Sequence, residues 1–170
     1  DFGNKYMGTS HRQPPIKNLV GDLKQGLLDM FHAPAGYEII LGNGGASAFW
    51  DAATFSLVEK KGQALVHGEF GNKFANILGA PWREKPTVVS AGPGTRSDLV
   101  AESGVDVYAY PHNETSAGVV TDVTRVSGAD ADALMLTDAT RAAGGIDFDP
   151  LETDAYYFAP QKNLASDGGL

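Results

Sequence analysis

No cysteine occurs among the 170 residues. That removes disulfides, thiolate metal ligands and a cysteine nucleophile in one step, and it fits a cytoplasmic location. Long apolar runs are missing too: no uninterrupted stretch approaches the ~20 residues a membrane helix needs. Nor does a basic segment precede a short apolar one in the manner of a secretory signal. Positive charge is scarce, with 13 Lys and Arg against 21 Asp and Glu and a net charge of −8. The charges are scattered, which excludes a basic footprint for nucleic acid and a polybasic membrane anchor.

What is present is an ordinary globular composition, 42% hydrophobic and 20% charged. The length suits one domain with a substantial core. The chain starts at Asp1 without a methionine, and Gly168-Gly169-Leu170 reads as a turn entering a new strand. We therefore expect a portion of a longer polypeptide.

Pro14-Pro15 opens an amphipathic pattern through Ile16, Leu19, Val20, Leu23, Leu27, Met30 and Phe31. This predicts a helix, closed by Pro34 and Gly36. Residues 37–41 read as a short strand running into Gly42-Asn43-Gly44-Gly45, with a helix over about 46–59. Further strands are expected at 64–67, 87–90, 105–110, 133–137 and 155–158, with a helix over 70–78 and a Gly/Pro/Ser-rich loop at 91–97. No internal repeat or low-complexity segment is visible. Short apolar strands alternating with helices predict an α/β fold, a three-layer αβα sandwich with a mainly parallel sheet. Ligands gather at the carboxyl ends of such strands, where Gly44, His112, Asp138 and Lys162 fall in this reading.

Asp138 and Lys162 each follow an apolar run and stand at a strand tip. An acid and an amine placed together suit pyridoxal phosphate (PLP), whose aldehyde a lysine holds as a Schiff base and whose ring nitrogen a carboxylate keeps protonated. The same pair also suits an ordinary ion pair or two solvated strand ends. The aromatic run Tyr156-Tyr157-Phe158 before Ala159-Pro160 offers Lys162 an enclosed, partly apolar setting, which would lower its pKa. Gly42-Asn43-Gly44-Gly45-Ala46-Ser47 suits either a tight turn or an anion cradle at a helix N-terminus. It lacks the lysine of a Walker A loop and the spacing of a dinucleotide fingerprint.

Phe70 opens a helix just past a strand, as core or as a platform for a flat ring. His112-Asn113-Glu114-Thr115-Ser116 is a solvated turn or a binding loop, and its His and Glu have no partners at metal-ligand spacing. Ser10-His11-Arg12 suits a phosphate or carboxylate, or a solvated approach to the first helix. Arg141 is a further basic residue near Asp138.

Four segments carry a resemblance: Gly8-Thr9-Ser10-His11-Arg12, Gly42-Asn43-Gly44-Gly45-Ala46-Ser47-Ala48-Phe49-Trp50, His112-Asn113-Glu114-Thr115-Ser116 and Ala159-Pro160-Gln161-Lys162-Asn163. Together they resemble the phosphoserine aminotransferases, fold-type I PLP enzymes, over essentially the whole chain. The resemblance implies residues 1–170 to be the PLP-binding large domain, with a C-terminal small domain lying elsewhere. It implies that Lys162 forms the Schiff base and moves the substrate proton, and that Asp138 pairs with the ring nitrogen. Phe70 would stack on the ring, Thr115 would bond its phenolic oxygen, and Gly45, Ala46 and Gln161 would cup its phosphate. His11 and Arg12 would bind the substrate phosphate across a homodimer interface.

The implied reaction exchanges an amino group between O-phosphoserine and 2-oxoglutarate in serine synthesis. Two positions depart from the pattern: Ala46 stands where some relatives carry a phosphate-gripping arginine, and Arg141 where a small residue is common. Other fold-type I enzymes, such as alanine– or serine–glyoxylate transaminases and cysteine desulfurases, share the Asp/Lys logic. A non-catalytic anion-binding α/β module would explain only the glycine turn and the sheet.

Overall fold

The computed structural model describes residues 2–168, so the turn expected at Gly168-Gly169-Leu170 lies largely outside the described residues. The chain divides between Leu41 and Gly42 into two compact units.

The N-terminal unit carries α1 (Phe2–Tyr6) and α2 (Pro14–Met30). Proline in the first turn of α2 costs nothing, because those N–H groups have no partner inside a helix. At the other end Phe31 N–H still reaches Leu27 C=O at 3.0 Å, and then His32 adopts φ 50° and breaks the repeat. Residues 37–41 do not form the expected strand. Their composition is right, but a strand exists through a hydrogen-bonded neighbour, and none of the described segments supplies one. Ile40 is accordingly 83% exposed.

The larger unit runs α3 (Gly45–Ser56), β1 (Gly62–Val66), α4 (Glu69–Leu78), β2 (Thr87–Ser90) and β3 (Val107–Pro111). A small antiparallel hairpin follows, β4 (Asn113–Glu114) and β5 (Val119–Val120), then β6 (Leu134–Asp138) and β7 (Ala155–Tyr157). The five main strands are all parallel, in the order β2-β1-β3-β6-β7. This is the mainly parallel α/β sheet that the alternation of strands and helices predicts.

Side chains alternate across a strand, and β3 and β6 divide accordingly. Val107, Ala109 and Leu136 join Trp50, Ala53, Phe74 and Leu78 of α3 and α4 in one core. Tyr108 and Met135 turn the other way, into a second core with Val105 and Ala133 that Leu99, Val126 and Ala129 cover. Among the described residues that second face is covered by non-helical segments. Burial of every residue of β3 is what a sheet covered on both sides requires.

Register fixes what comes next. Pro111 lies opposite Asp138, and Asp138 lies opposite Tyr157. Three strand ends therefore stop at one level, and the carboxylate sits between the other two.

Candidate active site

Asp138 is the last residue of β6 and is half-buried. Its Oδ1 accepts the Thr140 backbone N–H at 2.9 Å. No lysine or arginine pairs with it among the described residues, so the ion pair with Lys162 is not formed. Burial pushes its carboxyl above the ordinary aspartate range, with the Thr140 N–H opposing. Asp138 shares the wall of a narrow cleft with Phe70, Gly71, Phe74, Ala109 and Pro111. Beneath it, the Trp50 indole N–H donates to the Tyr157 hydroxyl at 3.1 Å, and Phe49 stacks on Tyr157 at 4.2 Å. Burial first, and the Asp138 charge second, hold the Tyr157 phenol well above its usual value. It stays neutral and acts as packing.

Phe70 is the second residue of α4 and is 45% exposed. Thr115 is exposed at the turn of the β4–β5 hairpin. The polar run around it is not a solvated loop, because His112 and Glu114 are both buried. His112 Nδ1 lies 3.1 Å from the Tyr156 hydroxyl, and Tyr156 stacks on Phe148 at 3.8 Å. Burial lowers the His112 pKa, against the opposing charge of Asp122.

The sign of the consequence is fixed. Folded His112 binds its proton less readily than unfolded His112. Stability is therefore lost as pH falls from the ordinary histidine value through the lowered one. We expect His112→Asn to flatten the acid side of the stability curve, read as urea midpoints between about pH 7 and 5. An unchanged slope would reject the assignment.

Lys162 lies in a turn beyond the end of β7 and is exposed. The enclosure expected from its aromatic neighbours is not built. Strand alternation sends Tyr157 into the core under α3 and Tyr156 to the opposite face against His112 and Phe148. Neither wraps the lysine. The turn itself is fastened: Ala165 N–H donates to Lys162 C=O at 3.1 Å, and Asn163 Nδ2 donates to Arg141 C=O at 2.6 Å. A Cβ on Gly145 would fall 2.5 Å from Asn163 Nδ2. The lysine turn is thus pinned to the segment that follows Asp138, and the side chain of Arg141 is exposed.

Gly44 precedes α3 with φ 99°, a left-handed conformation that glycine adopts without strain. It does not follow a strand, since residues 37–41 form none. Gly45 and Ala46 are the first two residues of α3. A Cβ on Gly45 would lie 3.9 Å from that of Ala159, which brings the start of α3 against the segment leading to Gln161 and Lys162. Gln161 is exposed. The larger unit therefore gathers Phe70 and Asp138 at one cleft, with Gly45 close to the lysine turn. His11 and Arg12 belong to the N-terminal unit, exposed on the turn before α2, where Arg12 N–H donates to Ser10 Oγ at 3.3 Å. Sequence reasoning missed Glu114, Trp50 and Tyr157 as supporting residues. The apolar run before Glu114 was its only local signal of burial.

The sequence matches the family described as aminotransferase class-V over residues 2–169. The chain belongs to that family. It is 52% identical over 170 residues to the phosphoserine aminotransferase of Nocardioides sp. (strain ATCC BAA-499 / JS614), covering 99% of this chain and 46% of that protein. Among solved class-V-like folds, the phosphoserine aminotransferase of Cytophaga hutchinsonii superposes with TM-score 0.91 at 25% identity, over 99% of this chain and 48% of that one. The PLP-bound phosphoserine aminotransferase of Trichomonas vaginalis gives TM-score 0.75 at 20% identity, over 96% and 50%. The chain spans about half the length of the curated relatives it matches.

Proposed function

We propose that residues 1–170 are the large, PLP-binding domain of a cytoplasmic phosphoserine aminotransferase, transferring the amino group of O-phosphoserine to 2-oxoglutarate. The products are 3-phosphooxypyruvate and glutamate, and the reaction serves serine synthesis. The carrying observation is Asp138, a half-buried carboxylate without a cationic partner among the described residues, on the wall of a cleft beside the Phe70 ring. Such a group suits a protonated ring nitrogen, and that chemistry fits PLP. Bound there, PLP supplies the electron sink for bond breaking at the substrate α-carbon.

The residues divide the remaining work. Lys162 Nζ would hold the cofactor and would move the substrate proton. Phe70 would stack on the ring, and the Thr115 hydroxyl would donate to its phenolic oxygen. The unpaired N–H groups of Gly45 and Ala46 at the start of α3 suit the cofactor phosphate, with Gln161 completing the cup. His11 and Arg12 bind the substrate phosphate in the neighbouring subunit of a homodimer. No nucleic acid or membrane partner belongs to this reading, and no helix among the described residues is long and apolar enough to cross a membrane.

The 52% identity to a phosphoserine aminotransferase supports this substrate over alanine or serine. The absence of arginine at Ala46 favours the second reading, a glyoxylate-type transaminase. Turnover of the full-length protein decides between them. Two charge-assisted contacts at about 1.5–3 kcal/mol each should favour O-phosphoserine over serine by at least ~100-fold in kcat/KM. Equal turnover of O-phosphoserine, serine and alanine would reject the phosphoserine reading.

A further inference from the structure

The charged group most deeply buried in the larger unit is one to which the proposed chemistry assigns no part. Glu114 is fully buried, and among the described residues no lysine or arginine pairs with it. Its donors come from two places. Oε2 accepts the Gly71 backbone N–H at 2.9 Å. Oε1 accepts the Ser116 hydroxyl at 2.6 Å and the Ser116 backbone N–H at 3.2 Å. Ser116 Oγ in turn accepts the Glu69 backbone N–H at 2.8 Å.

These bonds cap α4 from another element. The residue before the helix, Gly68, has no side chain to cap it. Helix N-terminal N–H groups otherwise go unpaired, and a carboxylate there gains from both the hydrogen bonds and the helix dipole. Gly68 makes the approach possible, since a Cβ there would fall 2.2 Å from Ser116 Oγ and 2.9 Å from Glu114 Cγ. Gly71 serves the helix's seat on β1, where a Cβ would fall 2.8 Å from Leu65 C=O.

The placement of the bonds matters more than their number. Glu69 and Gly71 flank Phe70, and Glu114 and Ser116 flank Thr115. Each residue left between the bonded pairs is exposed. We infer that Glu114 is a positioning residue: with Ser116 it forms a clasp that fixes the Phe70 ring relative to the Thr115 hydroxyl, the two groups assigned to the face and the phenolic oxygen of PLP. The clasp rests on the cofactor reading given above. Catalytic contacts lose effect when displaced by as little as 1 Å, and a hairpin turn joined to a helix only by packing would not hold that tolerance.

The test uses the full-length protein in five forms: wild type, Glu114→Ala, Glu114→Gln, Ser116→Ala and, as the control for the band, Lys162→Ala. Three readouts are taken: PLP dissociation constant, position of the visible band of the PLP-loaded protein, and amide exchange at Glu69 and Gly71 without PLP. We expect Glu114→Ala to weaken PLP by about tenfold or more, to shift the band, and to speed exchange at both amides. Glu114→Gln keeps a carbonyl oxygen for the Gly71 N–H and should restore part of the affinity. Ser116→Ala should weaken PLP and speed exchange at Glu69, and it decides the matter if Glu114→Ala does not fold. A wild-type band with unchanged affinity and band position in the folded variants overturns the clasp alone. A wild-type protein with no Lys162-dependent band overturns the cofactor reading and the clasp together.

Discussion

Lys162→Ala in the full-length protein should lower transamination by roughly ten-thousand-fold, the upper end of what a positioned proton-transfer group supplies. The same change should remove the visible absorption expected when the wild-type protein is mixed with PLP. Both losses would follow from one atom, Nζ, to which the proposed function gives the attachment of the cofactor and the transfer of the proton. The fold should not notice the change. Lys162 is exposed, and its turn is held by backbone and neighbouring groups, Ala165 N–H to Lys162 C=O and Asn163 Nδ2 to Arg141 C=O. Exposed substitutions away from such bonds change stability by about 0.5 kcal/mol or less. Unfolding midpoints and circular dichroism of wild type and variant should therefore coincide while the colour and the rate disappear. A variant that keeps the visible band would remove Lys162 from the site.

The contrast between Lys162 and Glu114 marks how far the sequence could be read. Strands β1, β3 and β6 were legible because a parallel sheet covered on both faces leaves unbroken apolar runs, and the edge strands β2 and β7 because they are rich in β-branched or aromatic residues. The polar residues that end those runs then stand out, and Asp138 was found that way. Residues 37–41 have the same composition, but pairing is a property of two segments, and nothing in a single stretch announces a missing neighbour. The β4–β5 hairpin is too short to leave a period.

The expected enclosure of Lys162 failed for a different reason. Adjacent residues of a strand point to opposite faces, so an aromatic run in sequence is divided between the core under α3, which takes Tyr157, and the opposite face, where Tyr156 meets His112 and Phe148. Glu114 was invisible for a third reason. Its decisive donor, Gly71 N–H, lies 43 positions away, and a carboxylate among polar neighbours looks solvated until the helix that it caps is placed beside it.

Asp138→Asn separates what the carboxylate does for the fold from what it does for the reaction. The substitution keeps the shape and an oxygen for the Thr140 N–H, and it removes the charge while turning the second oxygen into an amide donor. Without PLP that charge is a burden: burial raises the folded pKa of Asp138, so the folded chain binds the proton more tightly than the unfolded chain. Stability is then fully present below the ordinary aspartate value and is lost as pH rises through the raised one. In the unloaded full-length protein the asparagine variant should erase this loss and be at least as stable as wild type near neutrality, measured as urea midpoints over about pH 4 to 8.

With PLP the order should reverse. A protonated ring nitrogen offsets the buried charge, so wild type gains more stability from the cofactor than the variant does. Turnover should fall by about a hundred- to a thousand-fold, the scale of a lost preorganised electrostatic contact. A variant that turns over like wild type, or one that is less stable without PLP at neutral pH, would show that Asp138 belongs to the scaffold. The expected result, a gain without cofactor and a loss with it, follows if the charge is held in place for a positively charged partner that none of the described residues supplies.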